Sequence, residues 1–433
     1  MQSKVPVETS KATANLPYIA FFGNQNDFPQ RIVDKYEASS IHKTAILTKL
    51  DYTVGMGLMV HTPEGTLYEG GDVNMDRIIS NPNDFGDTLQ SLFKQAALDQ
   101  LLYGGHSMQV FNPNKTAETL AFNRLEFGGL RYKKNGTDLP NKFYEASSQE
   151  WIEAKGKTKI DFKELPVYSE GNGVIYSADI SPLRSYYPLP DYYTLAFNAW
   201  AEIEYKIPVF NVNRIDNKFM PSGILSLIGS PPQGQTVDKY MRQFLQSFTG
   251  EGNNSKLIAQ MVDEHTQAPV YTQIDDTPDG IFTELDKLTV DNVLLAHRTH
   301  PMLLNKTAGS MGNSSEWRSI FEVYMNSVIY GYQQTLLATF NKILKDAGLN
   351  YTLSVSNIMP VSFAGDLDVN QVLTRNEQRE VLGYSNNIDT ITKEQMDVLI
   401  GLIEKVNLGM TRDKAIKLAE LYGIDPVKAI EVL

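Results

Sequence analysis

Asn305-Lys-Thr-Ala-Gly-Ser-Met-Gly-Asn-Ser-Ser315 separates two stretches with strong helical periodicity, Ile281 to His300 and Ser315 to Gly348. The intervening residues are small and polar, with two glycines and a single lysine. Such a segment buries too little apolar area to offset the entropy of fixing it, so it is predicted to stay mobile unless something packs on it. After it, Ser315 is placed to cap a helix whose apolar residues keep helical spacing: Trp317, Ile320, Phe321, Tyr324, Val328, Tyr332, Leu336, Leu337, Phe340 and Ile343. Gly348 supplies the stop. The result is a rod of about nine turns behind a soft polar loop. No set of catalytic residues surrounds it, and the arrangement reads as a device that presents a loop to something.

Working outward, 433 residues on a length prior make two to three domains, and 42% hydrophobic with 10% aromatic residues is ordinary globular composition. The chain has no cysteine, which excludes disulfides, thiolate metal sites and thiol nucleophiles. Met1-Gln-Ser-Lys-Val-Pro6 lacks the apolar core of a secretion signal, and no apolar run approaches the ~20 residues that span a bilayer. The expectation is a chain with no membrane partner. A net charge of −12 argues against tight, sequence-reading DNA binding and against anionic membranes, because both draw on basic excess. It suits a wall that lets DNA slide, since repulsion prevents sticking.

Along the chain, residues 1–30 read as a partly ordered arm, and Asp34 to Met56 as one helix. Asp84 to Tyr103 reads as a helix stopped by Gly104-Gly105, followed by a strand over His106 to Phe111. Residues 120–187 carry short strands and turns, with a hairpin signal at Lys133-Lys-Asn-Gly136. A helix over Tyr193 to Tyr205 and the one after Gly280 flank a small insert, which holds an extended stretch to Ile228, a helix from Val237 to Phe248 and a strand over Lys256 to Val262. Two antiparallel struts carrying a tip are predicted. The last seventy residues are predicted helical, with cap chemistry at Thr374, Thr392, Thr411 and Asp425-Pro426. The fold class is α+β.

Chemically, the chain offers little. His297 and His300 stand at i, i+3 with Pro301 ending the helix, whereas helical zinc sites use i, i+4 and a third ligand. They read as histidines set favourably against a helix dipole. Gly229-Ser-Pro-Pro-Gln-Gly234 carries two prolines where a phosphate cradle needs N–H donors, and Ala308 to Gly312 lacks the Gly-Lys-Ser/Thr ending. Asp275, Asp276 and Asp279 form the densest acidic cluster, out of register for a calcium loop, and read as a solvated turn. Tyr186-Tyr187 and Tyr192-Tyr193 have the chemistry to stack on bases, though such residues more often seal a subunit contact. No catalytic residue, metal ligand or cofactor site is assigned.

Five pieces in order carry a resemblance: Asp99-Gln-Leu-Leu-Tyr-Gly-Gly105, Met220-Pro-Ser-Gly-Ile-Leu225, Gly250-Glu-Gly-Asn-Asn-Ser-Lys-Leu-Ile258, His300-Pro-Met-Leu-Leu304 and Leu373-Thr-Arg-Asn-Glu-Gln-Arg379 with Gly383 following. Together they resemble the tailed-bacteriophage portal proteins of the HK97-like family, from about residue 35 to the C-terminus. Tyr384 stands where the family has leucine, and His300-Pro301 where it usually has glycine-valine-proline.

The resemblance implies a portal-type fold: arm and α/β wing over 1–187, stem helices over 188–207 and 277–300, a small α/β clip over 208–276, tunnel loop and long wing helix over 301–365, and a helical crown over 366–433. It implies a non-enzymatic ring homo-oligomer, usually a dodecamer, at one capsid vertex of a virion assembled in the host cytoplasm. Its implied partners are double-stranded DNA bound without sequence preference, the terminase large subunit, the major capsid protein and a head–tail adaptor. Asn305, Lys306, Thr307, Ser310, Met311, Asn313 and Ser314 would face DNA, and Gln233, Gln235, Lys239, Asn253 and Asn254 the terminase or connector. Lys306 reads equally as a solvated surface lysine or as one of a ring of lysines that steadies the duplex. Two alternatives stay open. One is a metal-dependent nucleic-acid-processing enzyme using the Asp275 cluster with His297 and His300; the other is a different head–tail connector ring, which the chain length disfavours.

Overall fold

The computed structural model describes residues 16–22, 26–135, 139–179, 181–182, 186–216, 223–228, 236–240, 242, 257–262, 270–273, 280–304, 314–358, 401–402 and 411–421. The chain divides into two compact units, Met1–Pro360 and Val361–Leu433.

The first unit mixes helix and sheet, as the α+β reading expects. In place of one helix from Asp34, it has α1 over Phe28–Ala38 and α2 over Ser40–Val54, broken at Ser39. The break has a local cause: the Ser39 side chain accepts the His42 N–H at 3.1 Å and so caps α2. Gly55 then turns the chain at φ 61°, where a Cβ would sit 2.2 Å from the Ser356 carbonyl oxygen. This admits β1, Gly57–His61, which pairs antiparallel with a strand near the far end of the unit. Helix α3 (Val73–Ser80) is capped by Asp72, whose carboxylate accepts from Asn74 and Met75. Helix α4 (Leu89–Tyr103) starts at a Thr88–Ser91 capping box and ends at Gly104 in the left-handed conformation.

Strand β2 (Gly105–Phe111) is the centre of a sheet ordered β3-β2-β7, with β3 Ala121–Leu125 and β7 Gly173–Ala178 both antiparallel to it. A second sheet, β4 (Leu130–Tyr132), β5 (Lys142–Glu145) and β6 (Lys163–Pro166), carries α5 (Ser148–Glu153) in its β5–β6 connection. Helix α6 (Leu195–Asp216) continues past the expected end, through the exposed Pro208. The insert holds β8 (Gly223–Ile228), helical residues 237–240, β9 (Leu257–Val262) and β10 (Val270–Gln273). β9 runs parallel to β8, as a strand–helix–strand unit requires, and β10 adds an antiparallel edge not visible in the sequence.

Helix α7 (Gly280–Ala296) returns along α6. The long rod is α8 (Ser314–Tyr324), a π-helical segment Met325–Ile329, and α9 (Tyr330–Asp346), ending at Gly348 with φ 80°. Strand β11 (Thr352–Ser356) closes the ladder with β1. In the second unit, α10 (Arg412–Leu421) begins directly after Thr411, as its cap position predicts.

The main core joins α2, α4, α7 and α9, with Phe93 and Phe122 edge-on to Phe340 at 5.4 and 6.2 Å. The described part of the expected arm is no arm. Tyr18, Phe21, Phe22 and Phe28 are buried, and the Arg131 guanidinium beneath Phe21 and Trp151 donates to Asn26 and to the Gly128 and Leu130 carbonyls. Tyr187 and Tyr192 are equally internal. Tyr187 Oη donates to the Ile19 carbonyl and Tyr192 Oη to that of Leu102, so both seal their own subunit and neither meets a base nor a neighbour.

Candidate functional site

Of the residues expected to face DNA, Asn305, Lys306, Thr307, Ser310, Met311 and Asn313 lie outside the described residues, and Ser314 opens α8. Gln233, Gln235, Asn253 and Asn254 of the insert also lie outside them, as do Asp275, Asp276 and Asp279; Lys239 is exposed on the helical stretch 237–240. What the structure defines is how both ends of segment 305–313 are held.

Before it, Pro301–Leu304 forms one 3₁₀ turn with Leu303 buried. After it, Phe321, Tyr324, Met325, Val328 and Ile329 line the same apolar cluster, with Tyr52 of α2 edge-on to Phe321 and Tyr324 at 5.5 and 5.9 Å. Thr299 and Tyr324 share a hydroxyl hydrogen bond at 3.2 Å. The Arg298 guanidinium donates at 2.9 Å to the Ser327 carbonyl, inside the π segment. A π turn shifts the regular carbonyl pairing of a helix, and a side-chain donor there compensates. One cluster therefore anchors both ends of the segment to the rod and to α2.

The struts are rooted in a buried polar junction. His42 Nδ1 and His297 Nε2 lie 2.8 Å apart with the rings stacked, and Tyr192 stacks on His297 at 4.8 Å. Phe197 of α6 meets the same ring edge-on. Burial holds both imidazoles neutral: His42 is pushed down to about 3 and His297 well below the usual range, with Lys49 adding to each. One ring then donates and the other accepts. This corrects the expected pairing of His297 with His300 as charged residues against a helix dipole. His297 turns inward to His42, while exposed His300 accepts the Met302 N–H. Among the described residues, no three His, Cys, Asp or Glu side chains converge as metal ligands would.

Lys49 of α2 is fully buried, 3.7 Å from Asp191, with its ammonium over the Tyr332 ring at 5.6 Å. Tyr332 Oη donates to Asp191 at 2.6 Å, tying the rod to the same carboxylate. On the other side of the junction, Glu204 of α6 accepts from the Ser39 and Ser40 hydroxyls and from the Ile41 N–H. That places a carboxylate on the N-terminus of α2, where the helix dipole favours it. Sequence reasoning placed Tyr332 on the rod but missed Lys49, Asp191 and Glu204, because their partners lie more than a hundred residues away.

The histidines set a pH dependence. His42, His297 and His106 (pushed down to about 4 by burial) stay neutral when folded but titrate near 6.5 when unfolded. The unfolded chain thus binds more protons below pH ~6.5, and the stability present above that pH is lost as pH falls toward the folded values. Asp99 and Asp179, each pushed up to about 6 by burial, act oppositely below pH 6 and offset part of the loss. The net expectation is lower stability at pH 5 than at pH 7, because three histidines outweigh two carboxylates. Chemical denaturation at those two pH values checks it, and equal stabilities would contradict neutral burial of the histidines.

No family model matches the sequence, and no curated protein matches it. The fold is nevertheless shared with chains of solved particles. A chain in the neck of an empty GTA particle, computed with C6 symmetry, superposes at a TM-score of 0.50 and 15% identity, over 82% of this chain and 93% of its own. A chain in the neck of a native GTA particle, computed with C12 symmetry, gives 0.51 and 15%, over 82% and 94%. GTA stands for gene transfer agent. At these identities the likeness is one of fold. No helix among the described residues is long and apolar enough to cross a membrane.

Proposed function

We propose that this chain is a ring-forming subunit of the head–tail neck of a phage-like particle, and within that class a portal: a non-enzymatic conduit for double-stranded DNA. The observation that carries the reading is near-complete coverage of a chain from a neck computed with C12 symmetry. Three features of this chain agree with it. Two antiparallel struts carry a small α/β tip. A long rod stands behind a polar segment with one lysine, and both ends of that segment are anchored. The net charge of −12 keeps a passing duplex from sticking.

In this reading segment 305–313 faces the bore, where a small polar loop repeated around a ring makes many weak contacts with phosphates and no strong one. The tip, with Lys239 and the insert residues Gln233, Gln235, Asn253 and Asn254, is the docking end for the terminase large subunit and the head–tail adaptor. The second unit, 361–433, faces the capsid interior. No cofactor takes part.

Light scattering on the purified chain tests the ring. Twelve copies of a 48.6 kDa chain give about 580 kDa. A stable monomer under assembly conditions would contradict the proposal. Mg²⁺- or Mn²⁺-dependent DNA cleavage lost on Asp275→Asn would replace it with the enzyme reading.

A further inference from the structure

Two departures from ordinary backbone geometry meet at a single hydrogen bond. The first is at the end of α7. The Thr299 N–H donates to the Leu294 carbonyl and the Arg298 N–H to that of Leu295, the paired bonds of a Schellman stop. The left-handed position of such a stop belongs to glycine as a rule; here it holds Arg298, at φ 56°. A side chain kept where glycine would cost less calls for a role. The Arg298 guanidinium reaches across to the rod and donates at 2.9 Å to the Ser327 carbonyl.

The second departure is the π turn to which that carbonyl belongs, Met325–Ile329, where the Tyr330 N–H donates five residues back to Met325. Burial along the rod shows that the turn holds one inserted residue. Tyr324–Met325, Val328–Ile329, Gln333 and Leu336–Leu337 are buried, a stripe that takes twelve residues for three turns. An α-helix takes about 10.8, so at 100° per residue an unbroken helix would swing the stripe by about 120°. One extra residue absorbs about 100° of that. From Leu336–Leu337 to Ile343–Leu344 the stripe takes seven residues for two turns, ordinary α spacing, so the excess is confined to the turn. Without the insertion each α8 position would be filled by the following residue, and Glu322 would take the buried place of Phe321.

We propose that the inserted residue is a register element and that Arg298 holds it, fixing the rotation of α8 against α7. Arg298 stands just before the Pro301–Leu304 turn, and Ser314 opens α8. One bond therefore ties the limb that enters segment 305–313 to the limb that leaves it. Arg298 is a positioning residue: it sets the direction from which the segment starts, acting through α8. This inference deepens the reading of that segment as the DNA-facing part and rests on it.

Arg298→Gly separates positioning from plain stabilisation. Glycine relieves the left-handed backbone, so the variant should melt no lower than wild type and form rings of wild-type mass. The yield of DNA-filled particles should nevertheless fall severalfold, and Arg298→Lys, which keeps a donor, should recover most of it. Wild-type filling by Arg298→Gly, or no recovery by lysine, would overturn the positioning role. A clear drop in the melting temperature of Arg298→Gly would make the arginine an ordinary stabilising residue. A pair of deletions tests the register without particles. Deleting Asn326 takes out the inserted residue and should leave a folded chain with a wild-type melting temperature. Deleting Gln334, equally exposed but in regular helix, should abolish cooperative melting. Equal losses from the two deletions would overturn the inserted residue. If wild type neither assembles nor fills, the ring reading fails, while the deletion pair still decides the register.

Discussion

On the proposed function, removing Gly309 to Gly312 is expected to leave rings of wild-type mass but to cut the yield of DNA-filled particles about tenfold or more. The asymmetry follows from where the residues sit. Both ends of segment 305–313 are anchored outside the deletion, by Leu303 before it and by Phe321, Tyr324, Met325, Val328 and Ile329 after it. Five residues of the segment remain to link those anchors. In the proposed function, contact of this segment with DNA is a sum of small terms: exposed polar and ionic contacts contribute about 0.2–1 kcal/mol each. Repeated around the proposed ring of about twelve copies, even the lower value exceeds the 1.4 kcal/mol that makes a tenfold change. Counting full and empty particles by electron microscopy, beside light scattering of the purified variant, measures both halves. Normal packaging and retention with the residues gone would remove the segment's assigned role.

Asp191→Ala is expected to lower stability by about 3 kcal/mol, against about 1 kcal/mol or less for Lys49→Met. Lys49 is buried beyond the reach of water, with Asp191 at 3.7 Å as its counter-ion. Burial already pushes its ammonium below the ordinary lysine range. Taking away the carboxylate leaves an uncompensated buried charge, which costs about 3–5 kcal/mol in dry sites. Partial exposure of Asp191 places this case at the lower end. The same deletion strips Tyr332 Oη of its acceptor. Methionine at position 49 keeps the apolar stem and removes the charge, so neither penalty arises. Combined, the two changes should cost less than the sum of the singles, because Lys49→Met relieves what Asp191→Ala exposes. Chemical denaturation of the four proteins decides it; additive losses would mean that the carboxylate and the ammonium do not act on each other.

Local chemistry explains which parts of this fold could be read in advance. The Gly104 and Gly348 stops and the start of α10 after Thr411 each depend on a few adjacent residues, and each stands where expected, whereas α4 begins at Leu89 behind the Thr88 cap and not at Asp84. The strand–helix–strand order of the insert was readable for the same reason. Ser39 was not, because its effect depends on a carboxylate 165 residues away as well as on its own cap. Strands β1 and β11 pair across nearly three hundred residues, and neither carries a turn signal that points to the other. The aromatics at 18–28 looked like an arm, since the residues they pack on, Tyr187, Trp151 and Arg131, lie more than a hundred positions away. Lys49 is an extreme case: no periodicity marks a lysine as core, and only the meeting of α2, α9 and Asp191 makes it so. The candidate site divides in the same way. Its composition was legible at 305–315, whereas its anchors, the Arg298–Ser327 contact and the His42–His297 pair exist only in three dimensions.

An image reconstruction of the purified, assembled chain tests the central claim most directly. The account predicts a closed ring whose bore admits a double helix, with residues 305–313 of every copy lining it. Compact monomers, or a ring in which that segment lies on the outer rim or inside its own subunit, would contradict it.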